Sequence, residues 1–162
     1  MQFDLKEYRS ALGSFATGVT VVTAIDADGN GHGLTVNSFT SVSLDPPLVL
    51  WCLGNRSDSY DLFSKADAYG INILGAGQTD FAMRFAGKGD QRLDITEFET
   101  LETGSPVLSQ AIATFDCVVI DRVKAGDHLI LIGQTKAYCT SPDGAMTYFR
   151  GTFGATDALS RT

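Results

Sequence analysis

The sequence predicts a mainly β fold with short helices, organised as an antiparallel barrel. Three observations support this class. Segments rich in Val, Ile, Leu and Thr recur at close spacing and are separated by turn residues. Turns at 26–31 and 124–127 join neighbouring strands as hairpins, and the first contains the Asp-Gly and Asn-Gly pairs that tolerate positive φ. The alternating βαβ order with a glycine-rich strand–helix turn is missing, so a Rossmann fold is not expected.

The elements of the first third follow from local patterns. Asp4 and Glu7 form a capping pair, and the apolar residues behind them recur at helical spacing, so a helix is predicted over about 4–13. Val and Thr residues predict a strand over 18–26. Its partner runs from the turn at 26–31 into a polar stretch. Pro46 and Pro47 interrupt the chain before an apolar strand over 48–53.

The remaining elements are three strands, two short helices and one long loop. Asn55 or Ser57 is expected to cap a helix over 57–65, and Thr79 a helix over 78–86. The polar segment 87–105 is predicted as a loop, and loops of this length in a compact domain usually serve function. The strands are predicted over 69–74, 112–123 and 128–139.

Composition limits the class of protein. A chain of 162 residues is expected to form one domain over 1–162, and 44% hydrophobic residues supply an ordinary core. The net charge of −7 disfavours nucleic acid and anionic membrane surfaces as partners. No apolar run approaches the length of a membrane span, and the first ten residues do not match a signal peptide. Three dispersed cysteines and two separated histidines predict reduced thiols in a cytoplasmic protein without a metal site.

A dense run of hydroxyl and amide residues lies on either side of the two prolines. Such density departs from the alternation of a half-buried strand, so the run could line a pocket for a large polar ligand. The alternative is an edge strand whose Ser and Thr side chains face water. The run comprises Thr35, Asn37, Ser38, Thr40, Ser41 and Ser43 before the prolines, and Asn55, Arg56, Ser57 and Ser59 after the apolar strand.

No motif for protein-supplied chemistry is present. The sequence contains neither a GxSxG elbow nor a P-loop, and no pair of carboxylates has a context that implies acid–base work. This pattern is typical of an enzyme whose cofactor performs the difficult step, and equally of a binding protein.

The segment TVNSFTSVSLDPPLVLWCL at 35–53 resembles the flavin reductase-like family, as do GDHLILIGQT at 126–135 and YFRG at 148–151. The resemblance covers about 8–154. It implies an FMN-binding split β-barrel with Greek-key topology, and a homodimer. The implied activity is NAD(P)H:flavin oxidoreductase, the reductase component of a two-component flavin monooxygenase. Such a flavoprotein would reduce FMN, or FAD, with NADH or NADPH and supply reduced flavin to a separate oxygenase.

The resemblance also implies a set of site residues. The flavin ring and ribityl chain would lie on Thr35, Val36, Asn37, Ser38 and Ser41, and on Trp51, Cys52 and Leu53. Arg56, Ser57 and Ser59 would hold the phosphate at a helix N-terminus. Arg84 and Phe85 would close over the cofactor, Arg150 would face the same cleft, and His128 would position the nicotinamide.

The residues by themselves leave alternatives for several of these positions. Without the resemblance, Arg56, Arg84 and Arg150 are ordinary surface arginines, His128 is structural and Cys52 is a packed thiol. The loop sequence DQRLD at 90–94 departs from the family's basic–aromatic pair, so no contacts are implied for it. Two other functions also remain open: a flavin-binding protein without reductase activity, and an enzyme of the pyridoxamine-phosphate oxidase barrels.

Overall fold

The computed structural model describes residues 4–157, which form twelve strands and three helices. The helices are α1 (Leu5–Leu12), α2 (Tyr60–Lys65) and α3 (Thr79–Ala86). The strands are β1 (Thr17–Gly18), β2 (Thr20–Ile25), β3 (Gly31–Val36), β4 (Thr40–Leu44), β5 (Pro47–Gly54), β6 (Ala68–Ile73), β7 (Phe98–Thr100), β8 (Pro106–Leu108), β9 (Ala113–Ala125), β10 (His128–Thr140), β11 (Met146–Phe149) and β12 (Thr152–Ala155).

Seven of these strands form one antiparallel sheet in the order β3-β2-β6-β9-β10-β5-β4. The β9–β10 hairpin is its longest pair, and β10 continues along β5 from His128 opposite Gly54 to Gln134 opposite Leu48. Two smaller sheets, β1-β11-β12 and β7-β8, complete the fold. The predicted class, mainly β with antiparallel pairing and short helices, is confirmed. No helix in the described range is long and apolar enough to cross a membrane.

The ends of the helices agree with the sequence only in part. Asp4 caps α1 as predicted, because its carboxylate accepts hydrogen bonds from the backbone N–H groups of Lys6 and Glu7 at 2.8 and 3.2 Å. The predicted caps of α2 and α3 are wrong. Ser59 occupies the N-cap of α2 and Gln78 that of α3, and neither side chain bonds to the first turn of its helix.

Two hydrophobic clusters lie on opposite faces of β2. Val22 and Ala24 point into the cluster around Trp51, whereas Val19 and Val21 point into the cluster around Phe85. Successive strand residues face opposite sides of a sheet, so both faces of β2 are buried, and its two threonines, Thr20 and Thr23, are buried with its apolar residues. The second cluster joins α3 to the sheet and thereby fixes one wall of the cavities described below.

Buried polar contacts attach the segment 87–108 to the sheet. Asn72 receives the N–H of Leu108 at 2.7 Å and donates to the Val21 carbonyl at 2.9 Å. The buried Asp116 carboxylate accepts the N–H of Thr103 at 2.7 Å. Further along, the Leu93 N–H donates to the Gly31 carbonyl at 2.8 Å. The predicted loop is therefore an ordered cover that runs beside β3.

A smaller polar cluster fixes the turn between β2 and β3. The Asp26 carboxylate accepts the N–H groups of Asn30 and Asp28 at 2.8 and 2.9 Å, and it lies 2.8 Å from Nε2 of His32. The backbone hydrogen bond from Asn30, followed by the contact with His32, holds the pKa of Asp26 well below its usual range.

Candidate functional site

Three cavities that share lining residues form one continuous groove. The central cavity, of about 300 Å³, lies between β3, α3 and the β11–β12 hairpin. Ala86 also lines a second cavity of about 310 Å³ beside α2, which is called the cationic cavity because Arg56 and Lys88 line it. Asn37, Tyr148 and Gly151 join the central cavity to the helix cavity, of about 790 Å³, beneath α1. The groove thus brings together parts of the chain that are far apart in sequence.

The central cavity has a polar strand on one side and apolar side chains on the other. Its lining residues are Val19, Thr35, Val36, Asn37, Met83, Ala86, Tyr148, Gly151 and Phe153. The hydroxyl of Thr35 donates to the Ala82 carbonyl of α3 at 2.6 Å, so its lone pairs can still accept a hydrogen bond. Asn37 is exposed, and its amide forms no hydrogen bond within residues 4–157. These groups suit a ligand with both a flat apolar part and a polar chain.

Ser38 and Cys52 are joined across the sheet edge. The Ser38 hydroxyl accepts the Cys52 N–H at 3.0 Å and lies 3.3 Å from the Cys52 carbonyl, so this serine fixes the loop between β3 and β4. Burial raises the pKa of the Cys52 thiol, so it stays protonated near neutral pH. Ser41 is exposed on β4 opposite Val49 and lines none of the three cavities.

Three of the predicted contact residues have buried side chains. Trp51 and Leu53 are fully buried in the cluster that includes Phe63 and Tyr69. Phe85 is fully buried on the other face of the sheet, with its ring against Gly33. A ligand in the groove could therefore meet positions 51 and 53 only through their backbone. The bulk of Phe85 instead sets the distance between α3 and β3.

Two cations, Arg56 and Lys88, and one acidic residue, Asp58, line the cationic cavity, which leaves an excess of one positive charge. Arg56 and Lys88 are exposed, and neither forms an ion pair with a carboxylate in the described part of the chain. Ser57 is half-buried in the same wall. Ser59 does not line this cavity, and its hydroxyl donates a hydrogen bond to Oε1 of Gln91. The predicted phosphate site therefore differs in its source of positive charge. The helix α2 has only six residues and starts at Tyr60, so the charge comes from the side chains of Arg56 and Lys88 and not from the helix N-terminus.

Arg84 and Arg150 have structural partners. The Arg84 guanidinium donates to the Glu97 carboxylate at 2.6 Å and to the Arg92 carbonyl at 2.7 Å, and it lies 4.7 Å from the centre of the Phe85 ring. It thereby clamps the segment 92–97 onto α3. Arg150 has a positive φ of 48°, bonds to the Ser14 hydroxyl at 3.1 Å and lines the helix cavity.

His128 lies at the rim, at the start of β10. Its imidazole is 47% exposed, with Nδ1 2.7 Å from the Asp127 carboxylate, and its ring lies over Gly54. The hydrogen bond and charge of His128, and more weakly the charge of Arg56, hold the pKa of Asp127 below its usual range. Asp127 engages Nδ1, whereas Nε2 lies towards Gly54 and forms no hydrogen bond in the described part of the chain. His128 does not line any of the three cavities, so its predicted contact with a nicotinamide remains a prediction.

The sequence analysis missed several groove residues. Lys88 and Gln91 belong to the segment 87–105, which was predicted to be functional but without assigned contacts. Met83, Tyr148 and Phe153 form the apolar side of the central cavity. The only sequence signal for Lys88 is its position between two glycines in a polar loop.

Comparison with known proteins gives a consistent result. The model of the flavin reductase like domain matches residues 12–157. A probable flavin reductase of Rhizobium meliloti (strain 1021) is 44% identical over 149 residues, which are 92% of this chain and 48% of the relative. The reductase component of a flavin-dependent trigonelline monooxygenase from Acinetobacter baylyi is 39% identical over 96% of this chain and 52% of its own length. The chain thus spans about half the length of both relatives.

A solved structure shares the fold. The NADH:FAD oxidoreductase SgcE6 of Streptomyces globisporus C-1027, in complex with NAD and FAD fragments, superposes with a TM-score of 0.85 at 33% identity. The alignment covers 93% of this chain and 92% of that one. This likeness confirms the split-barrel fold implied by the sequence.

Proposed function

The chain belongs to the flavin reductase-like domain family, and we propose from this that it binds a flavin in the groove and reduces it with NAD(P)H. The reduced flavin then passes to a separate monooxygenase. Relatives that are named as reductase components of monooxygenases support the second step.

The proposal rests on the order in which apolar, polar and positively charged residues follow one another along the groove. An apolar surface formed by Met83, Tyr148 and Phe153 suits a flat ring system. Next to it, Thr35 and Asn37 offer a hydroxyl and an amide to the ribityl chain and the polar edge of the ring. Beyond Ala86, Arg56 and Lys88 supply the positive charge that a phosphate requires. The residues present therefore fit a flavin mononucleotide.

A bound flavin supplies the hydride-accepting ring, so the chain's task is to bind, orient and exclude water. Packing of Phe85 against Gly33, together with the Thr35–Ala82 hydrogen bond, holds α3 against β3 and keeps the central cavity at a fixed width. Clamping by Arg84 holds the adjoining loop in place. Such rigid support is what an orienting site needs, because small displacements of reacting atoms cost rate.

We assign His128 the role of positioning the nicotinamide. Asp127 orients its ring, and the free Nε2 can bond to the carboxamide of NADH. His128→Ala should leave flavin affinity unchanged and should lower kcat/KM for NADH about tenfold to a hundredfold, since one well-placed hydrogen bond is lost. A loss of flavin affinity with normal NADH kinetics would show that the histidine is structural.

The choice of flavin and reductant, the domain bounds, the assembly and the location are also proposals. We propose FMN as the flavin, with FAD as a second substrate, and NADH as the favoured reductant because relatives carry it in their names. We further propose one domain over 1–162, a homodimer and a cytoplasmic location. Three free cysteines support the location, since thiols persist in reducing compartments.

The decisive experiment is stopped-flow mixing of the purified protein with NADH and each flavin. Bleaching of the oxidised flavin band faster than in the absence of protein supports the proposal. Flavin binding without bleaching would identify a binding protein. Oxidation of pyridoxamine phosphate without NADH consumption would assign the chain to the other barrel enzymes.

A further inference from the structure

We propose that Gln91 is a positioning residue that holds Lys88 at the cationic cavity and so sets the affinity for the flavin phosphate. This inference rests on the proposed function, because it assumes that the phosphate binds between Arg56 and Lys88. Gln91 itself lies in the wall of that cavity and carries no charge. Its contribution is therefore through the groups that it holds.

The side-chain amide of Gln91 joins two separate segments. Its Oε1 accepts a hydrogen bond from the hydroxyl of Ser59, at the start of α2. Its Nε2 donates to the Gly87 carbonyl, just after α3, at 2.8 Å. The amide therefore links the segment that follows α3 to the residue that precedes α2.

The backbone of Gln91 is fixed to a third element. The Gly33 N–H of β3 donates to the Gln91 carbonyl at 2.9 Å. Gln91 is only 8% exposed, so water cannot readily replace these partners. An amide that loses its hydrogen bonds in a buried site destabilises the fold more than an exposed amide, which can bond to water instead. The observed arrangement of Gln91 is therefore strongly favoured.

The position of Lys88 depends on this arrangement because the backbone around it can adopt many conformations. Glycines stand on both sides of it, and Gly89 has a φ of +130° that other residues rarely adopt. Within residues 4–157, the hydrogen bond from Gln91 to Gly87 is the one side-chain hydrogen bond made to the segment 87–89. Without it, Lys88 would sample more conformations and would pay an ordering cost whenever phosphate binds.

The test compares FMN with riboflavin, which has the same ring and ribityl chain but no phosphate. Gln91→Met keeps the length of the side chain and removes both hydrogen bonds. We expect about a tenfold loss of FMN affinity, the scale of one charge-assisted hydrogen bond, and a riboflavin affinity within about twofold of wild type. In turnover, KM for FMN should rise while kcat at saturation stays the same.

Gln78→Met is the matched control. Gln78 also bridges two segments, with Oε1 2.6 Å from the Gly75 N–H and Nε2 3.2 Å from the Gln110 carbonyl, but it lies at the opposite end of α3. This variant should leave both affinities unchanged. If Gln91→Met does not fold, Gln91→Asn replaces it, since the shorter amide keeps polarity but cannot span from Ser59 to Gly87.

A double variant separates positioning from general damage. If Gln91 acts through Lys88, Gln91→Met adds no further loss to FMN binding in the background Lys88→Gln. Equal losses for FMN and riboflavin, or additive losses in the double variant, would overturn the inference. Wild-type protein that binds neither flavin would instead overturn the proposed function itself, and the two failures are thereby distinguished.

Discussion

Removal of the two positive charges in the cationic cavity should weaken FMN binding selectively. A unit charge 4 Å from another gains about 1 kcal/mol in water and about 4 kcal/mol near a protein surface of lower polarity. Arg56 and Lys88 are both exposed, which places each near the lower limit, at about 1–1.5 kcal/mol or roughly five- to tenfold in Kd. The two single variants, Lys88→Gln and Arg56→Gln, should each show a loss of this size.

Fluorescence titration with FMN and with riboflavin, at about 0.1 M and about 1 M salt, measures this effect. The Debye length falls from about 10 Å to about 3 Å between these conditions, so wild-type affinity for FMN should decrease with salt. The double variant Arg56→Gln with Lys88→Gln should show little salt dependence. Lys65→Gln is the control, because Lys65 pairs with Asp61 on the surface of α2. Equal losses for FMN and riboflavin, or no loss for FMN, would refute a phosphate site in this cavity.

Three further predictions concern stability and assembly. Gly133→Ala should lower the free energy of unfolding by about 1–3 kcal/mol in a urea titration, because the added methyl group meets the buried Tyr69 side chain. The control Gly18→Ala should leave the free energy of unfolding unchanged, because its methyl group meets nothing within 4 Å. Equal urea midpoints for the two variants would contradict this packing. The depressed pKa of Asp26 contributes stability that is present above pH about 4 and is lost as the pH falls, so the deficit in Tm of Asp26→Asn should shrink between pH 5 and pH 2. A deficit that is independent of pH would exclude the charge as its cause. Light scattering should give the mass of a dimer, since exposed apolar groups such as Leu44, at 93%, need cover, and a monomer mass would refute the proposed assembly.

Much of the fold could be predicted from short-range patterns. Asp4 caps α1, and the Asp-Gly and Asn-Gly pairs join β2 to β3, because both effects act within a few residues. The ends of α2 and α3 could not be predicted in the same way. Ser59 is at the N-cap of α2, yet its hydroxyl bonds to Gln91, which lies 32 positions further along the chain. A distant partner thus replaced the local one.

The candidate site likewise contains residues that local sequence patterns predicted and residues whose surroundings only the tertiary structure set. Thr35 and Asn37 were predicted from the polar run and Val36 from the resemblance, and all three line the central cavity. Trp51, Leu53 and Phe85 were proposed as contacts, but their side chains are in the core. Trp51 and Leu53 lie on β5 and Phe85 on α3, and which face of each element meets the groove depends on how the elements pack against one another. The sequence of a single strand or helix does not contain that information.

The sequence by itself determined the antiparallel barrel class, the polar run at 35–41 and the cation at 56. These follow from composition, alternation and turn chemistry, which act over a few residues. Only the tertiary structure decided that Lys88 and Arg56 line the same cavity, that Gln91 links Ser59 to Gly87, and that His128 lies at the rim rather than inside the groove. The physical reason is that these groups belong to separate elements, whose relative placement is set by the two hydrophobic clusters and by buried hydrogen bonds between distant parts of the chain.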